Sequence, residues 1–94
     1  MTGKTEIMKY LSDNLERFKS EYRVVKIGLF GSVLRSDSYN DIDIIVDMKN
    51  PDFDSYMDLK FELEEIFNSS VDLVLLGNVK KRLLPIISKE AEYV

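Results

Sequence analysis

The sequence contains no cysteine and no histidine. The first absence excludes disulfides and thiolate metal sites, and is compatible with a cytoplasmic setting. The second removes the usual general base at neutral pH, so acid–base work falls to carboxylates, lysine, tyrosine or a metal-bound water. An excess of positive charge is missing too. The formal net charge is −4, which argues against the basic surface that broad nucleic-acid binding needs. No apolar run approaches the roughly 20 residues of a membrane span, and the N-terminus lacks the apolar core of a signal peptide. Repeats, low-complexity tracts and linkers are also lacking. The expectation is one soluble, cytoplasmic domain over residues 1–94, with a single core and little surplus burial.

What is present reads as alternating helices and strands. Ile7, Met8, Leu11, Leu15 and Phe18 recur at helical spacing and predict a packing helix over 5–20, capped by Thr2 or Thr5. The β-branched run from Val24 to Phe30 predicts a first strand, and Gly28 within it signals a bulge or a close backbone approach. A second strand is expected over 42–48. Asn50-Pro51 closes it and opens a helix, with Pro51 in the first turn and Asp52 and Asp54 at the positive helix end. That helix carries a broad apolar stripe of Phe53, Tyr56, Met57, Leu59, Leu63, Ile66 and Phe67, read as core. Asn68 to Ser70 is a turn and Val71 to Leu76 a third strand. Pro85 cannot sit mid-helix, so a turn at 79–83 should precede a separate helix over 84–90, and 92–94 can add an edge strand.

The chemistry concentrates between Phe30 and Asp47. Residues two apart on a strand share a face, so Asp41 and Asp43 project together while Ile42, Ile44 and Val46 point the other way. Carboxylates are poor strand formers. Before them stands Gly31-Ser32, read as the start of a short helix whose first amides suit a phosphate. Glycine admits the ligand close to the main chain, and the Ser32 hydroxyl adds a donor; the same dipeptide is also an ordinary turn. Arg35 has two readings, a phosphate partner or a surface ion pair with Asp37 or Asp41.

A helical link between strands two and three makes them parallel with a right-handed crossover. Asp43 and Asp72, each near the start of its strand, then meet at one sheet edge. Strand one must run antiparallel to bring Gly31-Ser32 to the same rim. The predicted fold is α/β (α+β), a small mixed sheet of three to four strands with helices mainly on one face. Two carboxylates ~6 Å apart repel by roughly 2–3 kcal/mol at an effective dielectric of about 20. Protonation or a cation must relieve this. Oxygen-only ligands point to Mg²⁺ or Mn²⁺, and magnesium's habit of one or two carboxylates plus substrate phosphates makes a nucleoside triphosphate the natural guest.

Phe30-Gly31-Ser32 with Arg35, Asp41-Ile42-Asp43, Val71-Asp72-Leu73-Val74, and the closing run Leu84-Pro85-Ile86-Ile87 through Glu90-Ala91 to Tyr93-Val94 together resemble a minimal nucleotidyltransferase. The type is that of the DNA polymerase β superfamily, often encoded beside a HEPN-domain toxin. The resemblance covers nearly the whole chain. It implies the nucleotidyltransferase fold, with Gly31, Ser32 and Arg35 binding nucleotide and Asp41, Asp43 and Asp72 as catalytic, metal-binding carboxylates. It also implies transfer of a nucleoside monophosphate, AMP from ATP, to a hydroxyl, with two metals clamping the attacking and leaving oxygens. For a member of this size the implied acceptor is a tyrosine of a HEPN toxin, the chain being its antitoxin. There are two departures from the family pattern. Eight residues, 33 to 40, separate Ser32 from Asp41, fewer than is usual, and Ser36 replaces a common glycine. Misplacing a group by ~1 Å can cost about a hundredfold in rate, so the short link bears on turnover more than on fold. A second reading is a non-catalytic antitoxin that masks a HEPN toxin by contact. A third is a small α/β domain with merely solvated aspartates, and a second copy of the chain is a further permitted partner.

Overall fold

In a computed structural model, residues 3–30 and 41–94 are described, apart from the side chain of Ser88. The order is α1 (Lys4–Asp13), α2 (Leu15–Tyr22), β1 (Val24–Leu29), β2 (Ile42–Met48), α3 (Phe53–Phe67), β3 (Val71–Leu75), 3-10 turns at Leu76–Asn78 and Lys81–Leu83, α4 (Leu84–Glu90) and β4 (Glu92–Tyr93). The sheet order is β3-β2-β1-β4. β2 and β3 are parallel, whereas β1 is antiparallel to both its neighbours. The mixed sheet and its strand directions are as expected from the helical crossover between β2 and β3 and from the rim that strand one has to reach.

One face of the sheet carries the core. Ile27 and Leu29 of β1, Ile42, Ile44, Val46 and Met48 of β2, and Val71 and Leu73 of β3 pack against Ile7, Leu11, Phe18, Leu59, Leu63 and Phe67 from the first three helices. α4 adds no described residue to this cluster. Ile45, on the opposite face of the central strand, is nevertheless buried.

Five expectations need correction. The N-terminal helix is two, broken at Asn14, whose φ of −107° and ψ of 6° leave the helical region. Its side-chain amide bonds the Tyr10 carbonyl at 2.9 Å, the local competition that makes asparagine a poor helix-interior residue. The α1 cap is Gly3, without a side-chain bond; Thr5 lies inside the helix and Thr2 outside the described residues. Pro51 precedes α3 and Asp52 caps it, accepting from the Ser55 amide. The third strand stops at Leu75, and Leu76 opens a 3-10 turn. The apolar stripe on α3 is also wider than the surface it covers: Phe53 and Ile66 are exposed.

The β3 edge is partly blocked. On β3 the Val71 amide donates to Glu64 at 3.0 Å, and the Tyr56 hydroxyl donates to the Leu73 carbonyl, removing pairing sites from an edge strand. On the other side β4 lies so close to β1 that a Cβ on Gly28 would overlap the Glu92 carbonyl. This is the close approach that Gly28 signals. Gly28→Ala should cost about 1–3 kcal/mol by overpacking, read as a lower urea midpoint.

Behind the helices, Glu62 of α3 ties three elements together. It accepts from the Tyr10 hydroxyl at 2.8 Å, the Tyr22 hydroxyl at 2.9 Å and both terminal nitrogens of Arg17. Burial pushes its carboxyl up, but the bonds from Arg17, Tyr10 and Tyr22 outweigh it and hold Glu62 below its ordinary 4.5. Burial and then Glu62 push both phenols from 10.0 to about 12. The stability contributed by a lowered carboxylate is present above pH 4.5 and is lost as pH falls through the folded value; that of raised phenols is present below pH 10.0 and lost towards 12. Glu62→Gln should lower stability by roughly 2 kcal/mol at neutral pH and flatten the acid limb of the denaturation midpoint against pH.

Candidate functional site

β2 enters the sheet from the segment after Phe30, whose amide donates to the Asp43 carbonyl at 3.0 Å. The first strand therefore delivers the chain beside Asp43 before residues 31–40 begin. Gly31, Ser32 and Arg35, the predicted nucleotide-binding residues, lie outside the described residues.

The carboxylates are set by register. Asp43 is paired with Asp72 across the parallel β2/β3 ladder, and partners in such a ladder share a face. The face is the one opposite the helices, because Ile42 and Ile44 on either side of Asp43, and Val71 and Leu73 on either side of Asp72, are core. Asp43 is half-buried and Asp72 exposed. Asp41 continues the alternation, exposed where Ile42 is buried, but stands at a bend one residue before β2. Among the described residues no three carboxylates form a group close enough to hold a metal ion. Two of the three expected ligands are register partners; the third is not drawn into a ready-made cage with them.

This donor set fits a hard cation brought in with its substrate. Mg²⁺ seldom uses an all-protein cage and takes one or two carboxylates with water and phosphate oxygens. The open face beside Asp43 and Asp72 has the charge for that and no thiolate or imidazole to favour a softer metal.

The far end of the same sheet face is differently furnished. Lys26, paired with Asp47 across β1/β2, holds its ammonium 4.7 Å from the ring centre of Tyr93. The Tyr93 hydroxyl is buried with no hydrogen-bond partner among the described residues. Burial and then Asp47 push its pKa up. The sequence pattern marks neither Lys26 nor this use of Tyr93; the one signal was Gly28, which admits β4. A cleft of about 530 Å³ lies along Leu73 to Leu75 of β3, with Asp52, Phe53 and Tyr56 at the start of α3 and with Asn78 and Val79.

Residues 12–94 match the family described as Polymerase beta, Nucleotidyltransferase. A Methanocaldococcus jannaschii relative provisionally named a protein adenylyltransferase is 33% identical, over 94% of this chain and 90% of its own. The protein adenylyltransferase MntA of Thermococcus cleftensis is 29% identical, over 95% and 93%. A solved toxin–antitoxin structure with AMP-PNP superimposes with a TM-score of 0.68 at 26% identity, over 98% of this chain and 72% of that one.

If Asp72 holds the cation, Mg²⁺ with ATP should raise the melting temperature of the native chain and not that of Asp72→Asn. Binding a hundredfold above the dissociation constant would stabilise by about 2.7 kcal/mol. A shift that survives the substitution removes Asp72 from the ligand set.

Proposed function

The chain belongs to the polymerase β-type nucleotidyltransferase family, and from that premise we propose that it transfers AMP from ATP to a hydroxyl on a protein partner, as the antitoxin of a HEPN-domain toxin. The observation that carries this reading is the register pairing of Asp43 with Asp72 on the open sheet face. Further support comes from relatives named protein adenylyltransferases and a structural neighbour that is a toxin–antitoxin pair with a nucleotide analogue.

Asp41, Asp43 and Asp72 would hold Mg²⁺ or Mn²⁺, which when bound neutralises phosphate charge and lowers the pKa of the attacking hydroxyl. The family resemblance assigns the β- and γ-phosphates to Gly31 and Ser32, with Arg35 as a further nucleotide-binding residue. Asp72 orients the acceptor hydroxyl and receives its proton. The acceptor oxygen bonds to the α-phosphorus as the bond to the pyrophosphate oxygen breaks, in line. Carboxylate chemistry of this kind needs no histidine. The acceptor class is a tyrosine of the toxin.

A masking antitoxin without turnover is the second reading, favoured by the short link of eight residues between Ser32 and Asp41. Incubation with α-labelled ATP, Mg²⁺ and the cognate toxin separates the two. Label should appear on the toxin with the native chain and fall to background with Asp41→Ala plus Asp43→Ala. Neutralisation of the toxin that persists in the double variant, with no label in either case, supports masking instead.

A further inference from the structure

The cleft beside β3 is flanked by segments of opposite charge. It is lined by Leu73 to Leu75, by Asp52, Phe53 and Tyr56 at the start of α3, and by Asn78 and Val79; Asp52 is itself paired with Arg23. Phe53 is 75% exposed, more than any other large apolar residue described. Next to it, Asp54 and Asp58 lie four apart on the exposed side of α3. Directly after Val79 come Lys80, Lys81 and Arg82, all exposed, a concentrated basic run in a chain of net charge −4. Among the described residues none of these five charges has an ion-pair partner.

We propose that this end of the molecule is a self-association surface, in which Phe53 of each copy fills the cleft of a second copy of the chain. A two-fold contact brings the same patch of both copies together, so residue i meets j and j meets i. Here that operation sets the acidic lip of each copy against the basic lip of the other, and an exposed aromatic against an apolar cavity. Any other partner would have to reproduce both signs and the plug in the same order, whereas a second copy carries them already. Strand addition is not the mode, because Tyr56 and Glu64 occupy polar groups of the β3 edge. The aromatic anchor supplies affinity, and the exposed charges supply register and salt sensitivity.

Analytical ultracentrifugation of the full chain tests this. A concentration-dependent dimer is expected, loosened by salt and weakened by about thirtyfold or more in Phe53→Ser, with unchanged far-ultraviolet circular dichroism. Asp54→Lys with Asp58→Lys, and separately Lys80→Glu with Lys81→Glu, should each be monomeric alone. Mixing the two charge variants should restore a dimer, since both lip pairs are then complementary. A native chain that sediments as a monomer up to millimolar concentration overturns the proposal, as does a dimer indifferent to Phe53→Ser and to both charge reversals.

Discussion

The parallel pairing of β2 with β3 is the constraint on which the rest depends. It sets Asp43 beside Asp72, an arrangement that like charges oppose, and the core enforces it. A one-residue slip of β2 would turn Ile42, Ile44 and Val46 out of the core and Asp43 into it, and a slip of β3 would do the same to Val71, Leu73 and Asp72. Each apolar side chain buried is worth about 1.5–3 kcal/mol, while a carboxylate pair repels by roughly 2–3 kcal/mol near the surface. Two or three such residues outweigh one such pair. The hydrophobic face thus holds a polar face in an arrangement the polar face would not choose.

The remaining elements serve that register. α3 joins the two strands in the crossover sense that parallel neighbours require, and its own residues seal the strand it leads into: Glu64 takes the Val71 amide and Tyr56 the Leu73 carbonyl. Glu62 on the same helix binds Tyr10 and Arg17, so α1 and α2 are fastened to the helix that sets the register. At the other edge, Gly28 lets β4 close against β1. The aspartates project from the face opposite the helices, where Asp72 is exposed and Asp43 half-buried.

Much of this was legible in the sequence, for reasons that are local. Asp41-Ile42-Asp43 announces its two faces by alternation alone, and Pro85 separates α4 from the preceding turn because its ring excludes an interior position. Gly28 signalled a bulge or a close backbone approach, and the approach is the one β4 makes. Tertiary chemistry was not legible. The break at Asn14 depends on a side chain competing for the Tyr10 carbonyl. Glu62 looked like a solvated helix residue because two tyrosines and an arginine that meet it lie 40 to 52 positions away. Phe53 read as core because periodicity gives the direction of a side chain and not where the neighbouring sheet ends. The reading of Gly31-Ser32 as a phosphate turn rests on motif alone, since both lie outside the described residues.

On the proposed reaction, the incomplete carboxylate cage has a consequence for the order of loading. Two aspartates side by side repel, which favours a cation, yet no third carboxylate completes a site among the described residues. On the proposed reading, triphosphate oxygens would complete the coordination of an ion held by the aspartates, since Mg²⁺ commonly combines one or two carboxylates with water and substrate phosphates. Nucleotide and metal would then each raise the affinity for the other, and the coupling is reciprocal by thermodynamic necessity.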